Sequence, residues 1–202
     1  MRIRPFPFVV LAALAVLVRV PADTGHGNMI GRIGLLTPAY AGPDQTDTSV
    51  LFAGVLDSHH AALESLQAGK IAKTAGGKSL IGLLQTGDQQ LDELSKLAGR
   101  DGQLDLNLAA GKLALALNKG HCGHVGAFQA YLQDAWGLTP SETHARLKAI
   151  QADPSVEGLQ DMLNAVLIGL LKDANSLNAT ETIGHLNDAL DAANHLTTPV
   201  TP

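Results

Sequence analysis

The stretch SVLFAGVLDSHHAALESLQAGK, from Ser49 to Lys70, decides the fold. Phe52, Leu56, His59, Leu63, Leu66 and Lys70 step along it by alternating fours and threes, a spacing that lines side chains along one stripe of an amphipathic helix. A half-buried strand would need alternation at every second residue, which this stretch lacks. The pattern predicts a helix over 49–74, capped by Thr48 or Ser49 and ended by Gly76-Gly77.

The same spacing continues with Leu80, Leu84, Gly87, Leu91, Leu94 and Ala98 before Gly99-Arg-Asp-Gly102. These two helices are expected to form an antiparallel hairpin with a short loop. Asp105 is a candidate N-cap for a third helix running to Asn118. Glycines at 120, 123 and 126 each weaken a helix by roughly 1 kcal/mol, so a break is expected near Gly120 to Gly123, ahead of the apolar pattern Val125 to Trp136. Thr139-Pro-Ser-Glu142 reads as a capping box with proline at the first helical position, and Asp153-Pro154 repeats cap then proline. They open expected helices at 140–152 and 154–175, the second apolar nearly all round. Asn178-Ala-Thr-Glu181 is the expected cap of a last helix ending near Leu196. Asn178-Ala-Thr180 also has the form of a glycosylation sequon.

Past residue 40 the only aromatic side chains are Phe52, Phe128, Tyr131 and Trp136, and Leu and Ala dominate the apolar set. Strong helix formers without β-branched or aromatic runs leave little from which to build a sheet. The expected class is all-α, an up-down helical bundle of four to six helices in a domain spanning 48–196.

Ahead of that domain, Met1-Arg-Ile-Arg4 and the apolar run Phe6 to Val18 have the order of a secretory signal peptide. At 13 residues the run falls short of the roughly 20 that span a bilayer. Cleavage is expected after Ala22 in Val20-Pro-Ala22, giving a signal peptide at 1–22, with Ala39-Tyr-Ala41 as the alternative site. The Gly- and Pro-rich segment 23–47 would form a flexible leader, and 197–202 a disordered tail. The product would be exported to a bacterial periplasm or the extracellular space, without stable membrane insertion.

Losing Arg2, Arg4 and Arg19 leaves 11 of the 14 Lys and Arg against 19 Asp and Glu, a net charge of −8. Nucleic acid is therefore not an expected partner. Cys122 stands alone, so no disulfide framework supports the core.

Histidine is the one unusual chemical resource, with eight in the chain. His60 with Glu64, and Glu181 with His185, are spaced to share a helix face. Imidazole and carboxylate suit copper or zinc, and two such pairs on facing helices would supply four ligands if the first and last helices lie side by side. His121, Cys122 and His124 place three further donors within four residues. His59 falls in the apolar stripe and is expected to be buried, with His60 more exposed. The chain contains no G-x-S-x-G, no phosphate loop, no G-x-G-x-x-G and no Glu-x-x-His, so no enzyme class is indicated.

Phe52, His59-His60 and Glu64, followed by Lys78 to Leu97 with Gln89, Gln90, Asp92 and Glu93, resemble the first hairpin of small exported ferritin-like bundle proteins. The resemblance implies a four-helix-bundle-like core with His59 and His60 near its functional face, and some members of that family are implicated in copper handling. The methionines that surround the His pair in the family are missing, since Met162 is the only Met after position 29. Two functions follow as expectations: binding or buffering a transition metal through histidines, or a non-catalytic structural or interaction module for a protein, another copy of the chain or an apolar ligand.

Overall fold

The computed structural model describes residues 48–97, 104–120 and 123–197. The signal peptide, the leader, the tail beyond Thr197, and the donors His121 and Cys122 lie outside the described residues.

Seven α-helices are present among the described residues, with no strand: α1 Thr48–Ala68, α2 Ala75–Ser95, α3 Leu106–Lys119, α4 Gly123–Trp136, α5 Pro140–Ala152, α6 Val156–Ser176 and α7 Thr180–Asn194. The all-α expectation holds, with more helices than the four to six anticipated. No helix here is long and apolar enough to cross a membrane.

Where cap chemistry is explicit, the boundaries follow it. The Thr139 Oγ1 accepts from the Glu142 backbone N–H while the Glu142 carboxylate accepts from the Thr139 backbone N–H, a complete capping box ahead of Pro140. The Thr139 hydroxyl also donates to the Glu142 carboxylate at 2.6 Å, and this bond, with that from the Thr139 backbone N–H, holds the Glu142 carboxyl below its ordinary range. Asp105 caps α3 through Leu108 N–H, and α3 stops at Gly120 as the glycine spacing predicts.

Three expected ends shift. Helix α1 stops at Ala68, and a 3-10 turn over Lys70–Lys73 carries the chain into α2. Gly76-Gly77 does not terminate a helix; it lies in the first turn of α2, capped by Thr74. A Cβ on Gly77 would sit 1.9 Å from the Ile71 carbonyl oxygen, so the tight hairpin requires glycine there. Second, α6 begins at Val156 with Ser155 as its cap, and Asp153 instead closes α5. Third, Asn178 takes φ 55° in the link between α6 and α7, and Ala179, without a side-chain cap bond, precedes α7. The Asn178 cap is therefore replaced by a left-handed turn, which Asn tolerates.

Helix α1 lies between α2 and α7. Gly54 faces Ala192, and Ser65 Oγ shares a 3.0 Å hydrogen bond with Thr182 Oγ1, so α1 and α7 run antiparallel. The first and last helices are thus neighbours, which meets the first condition for a shared four-ligand site. Small residues at this contact let the two backbones approach. Helix α6 packs against α2, α3, α4 and α7. Its core side chains Leu159, Met162, Leu163, Leu167 and Leu170 are at least 95 % buried. Gly169 admits the Tyr131 ring from α4, and the Tyr131 hydroxyl donates to Asp173 at 2.6 Å; burial and that carboxylate push the phenol pKa up. The expected hairpin of α1 and α2 forms, and its facing surfaces hold the polar cluster described next.

Candidate functional site

His59 belongs to the apolar stripe of α1 and is 98 % buried, while His60, one residue on, is 55 % exposed. Both address one carboxylate on α2, that of Asp88. His60 Nδ1–H donates to Asp88 Oδ2 at 3.1 Å. His59 Nδ1 faces Asp88 Oδ1 at 3.5 Å. Both of these last atoms are buried and neither has a hydrogen bond, so the partner each needs is the other. On the outer side, His60 Nε2 lies 3.4 Å from Glu64 Oε1. The result is a file of four groups, Glu64, His60, Asp88 and His59, running from the surface into the core.

The two imidazoles are driven in opposite directions. Burial lowers the His59 pKa below 6.5, and this outweighs the attraction of Asp88. The hydrogen bond to Asp88 and its charge raise that of His60. Near neutral pH His59 is therefore held uncharged.

Nδ1 of His59 faces the Asp88 carboxylate, and Nε2 lies on the opposite edge of the ring. That edge of the ring meets Gly87. A Cβ built there would lie 2.8 Å from Nε2 and 3.0 Å from Cε1. Gly87 thus makes room for the imidazole tip. Both residues line a partly open apolar pocket of about 40 Å³, completed by Val55, Gln90, Leu91 and by apolar side chains of α3, α4 and α6. That volume equals roughly three water-sized groups, yet water needs two or more polar partners and the walls offer few.

The four-donor arrangement expected of the two i, i+4 pairs is not assembled. His60 and Glu64 lie roughly 90–130° round α1 from the side that meets α7, counting 100° per residue. Glu181 instead lines a separate depression with Ser65, Gly69 and Thr182. His185 is half-buried on α7 and forms no ion pair with Glu181 among the described residues. His124 rests its imidazole on Gly82 and shares a 3.1 Å hydrogen bond with Thr86 Oγ1. Among the described residues no group of three or more His, Cys, Asp and Glu side chains is placed to hold a metal ion.

Sequence reasoning missed Asp88, the residue that organises the site. The available signal was Gly87, a gap in an otherwise leucine stripe, beside which a bulky side chain from the neighbouring helix had to fit. No family model, curated protein or solved structure matches the chain, so none bears on the ferritin-like resemblance.

Proposed function

We propose that this chain is an exported, non-catalytic helical-bundle module that binds a small apolar molecule in the cavity beside His59. One observation carries the reading: leucine, valine and phenylalanine side chains from five helices surround a space into which a single buried imidazole is set. Helical bundles build ligand sites between facing helices, mostly apolar with few polar groups that orient the guest. Burying the His59 ring and an Asp88 oxygen without a full set of hydrogen bonds costs stability. The copper or zinc reading receives less support, because among the described residues no three candidate donors are placed to hold one ion.

Xenon tests the reading, since it occupies dry apolar cavities irrespective of polar chemistry. Under xenon pressure the methyl resonances of Leu91, Leu117, Leu163 and Leu167 should shift together and saturate. Leu163→Phe, which fills the space, should abolish the response. Shifts that are unsaturable or spread over the whole surface would remove the basis for this function.

A further inference from the structure

We propose that the seam between α1 and α2 is an acid-operated latch: when the His59 ring takes up a proton the seam parts, water enters beside Gly87, and α2 leaves α1 while the remaining helices stay packed. The latch works with the pocket empty or filled.

Its trigger sits in the seam itself. His59 reaches from α1 onto α2, with Nδ1 3.5 Å from Asp88 Oδ1 and the opposite edge of the ring against Gly87, where a built Cβ would lie 2.8 Å from Nε2. A separation of 3.5 Å is longer than a normal hydrogen bond, and both facing atoms are buried without another partner. The seam therefore closes around two polar atoms that it satisfies poorly.

A protonated ring asks for more than a neutral one, because it donates from both nitrogens and carries a charge. Asp88 can answer at Nδ1. On the other side the lining is apolar but for the neutral Gln90, and α3, α4 and α6 contribute no charged or titratable side chain to it. The charged groups acting on the ring are Asp88 on α2, which favours protonation, and His60 on α1, which opposes it; Glu64 lies beyond His60. Burial outweighs Asp88, so the closed seam holds the ring neutral. Keeping a cation dry here costs more than hydrating it. The nearest water lies along the polar edge of the seam, where Asp88 is 20 % exposed and His60 is more than half exposed, and the proton arrives by the same edge.

Packing decides which helix moves. Helix α1 is fastened on its other side to α7, through the approach of Gly54 to Ala192 and the hydrogen bond between Ser65 and Thr182. Helix α2 has α1 as its main neighbour and meets α3, α4 and α6 more sparsely. Once the seam parts, α2 is weakly held, and local opening there precedes loss of the whole bundle.

Amide hydrogen exchange on the full chain at pH 7.5 and pH 5.5, corrected for the intrinsic effect of pH on exchange, tests the latch. Amides of α2 from Leu84 to Leu91 should lose protection several-fold at the lower pH, while those of α3, α5, α6 and α7 change little. His59→Leu should abolish the difference. If that variant does not fold, Asp88→Asn decides: removing the charge that favours protonation should move the onset of α2 exposure to lower pH. Equal protection of α2 at both pH values, or a loss spread evenly over all helices, would overturn the latch. So would an Asp88→Asn chain with α2 already exposed at pH 7.5, since the aspartate charge and not the ring would then hold the seam. The xenon response of the pocket at pH 7.5 is independent of all these outcomes.

Discussion

Asp88 is flanked by two histidines adjacent in sequence, and a single carboxylate produces two opposite electrostatic results because the two rings differ in burial. His60 is solvated, so the attraction of Asp88 prevails and its pKa rises. His59 is enclosed, so desolvation prevails and its pKa falls. Asp88→Asn keeps the shape and removes the charge. In an NMR titration the His60 midpoint should then drop toward 6.5, and the His59 midpoint should fall further below it, since the Asp88 charge that draws it upward is lost. An unchanged His60 midpoint would mean that the ring is not engaged by Asp88 in solution. Periodicity alone made the burial of His59 and the exposure of His60 readable. Their shared partner was not, because the pairing of residues 59 and 60 with residue 88 depends on where the α1–α2 hairpin turns, and that turn was read a full segment too late.

Helix ends show the same division between chemistry that is local and chemistry that is not. Thr139 and Asp105 cap helices by contacts within three residues, and their positions were legible without tertiary structure. Gly76-Gly77 carries two meanings in sequence, stop signal or close approach, and only the Ile71 carbonyl packed against Gly77 distinguishes them. At Asp153-Pro-Ser155 two candidate caps compete, and Ser155 Oγ accepts from Gly158 N–H at 3.1 Å. Thr139→Ala and Ser155→Ala should each cost about 1 kcal/mol in urea denaturation, while Asp153→Ala should be close to neutral. A loss at Asp153 matching that at Ser155 would show that α6 starts earlier in solution. Gly169→Ala should cost more, about 1–3 kcal/mol, because its Cβ would enter the Tyr131 ring and overpack the α4–α6 contact. If that variant kept native stability, the Tyr131 ring would not be seated on α6.

For the molecule as a whole, the buried imidazole makes stability depend on pH in a defined direction. His59 has a folded pKa below its unfolded value of about 6.5, so its contribution is complete above that value and is lost as pH falls toward the folded pKa. His60, with a raised pKa, contributes in the opposite sense: its share is present below about 6.5 and disappears as pH rises through the folded value. Its ring is more than half exposed, so solvent screening reduces that share and the His59 effect should dominate. The groups facing His59 are Asp88 and Gln90 of α2 and its neighbour His60; α3, α4 and α6 present only Leu113, Leu117, Phe128, Leu163, Val166 and Leu167. None of those apolar groups accommodates an imidazolium, so protonating the ring must loosen the α1–α2 contact or open the cavity to water. The free energy of unfolding should therefore decrease between pH 7.5 and pH 5.5. In His59→Leu the slope over the same interval should flatten or reverse, because the opposite effect of His60 remains. If the native chain and His59→Leu responded to pH alike, the buried histidine would be a passive part of the core and its burial would not set the pH dependence of stability.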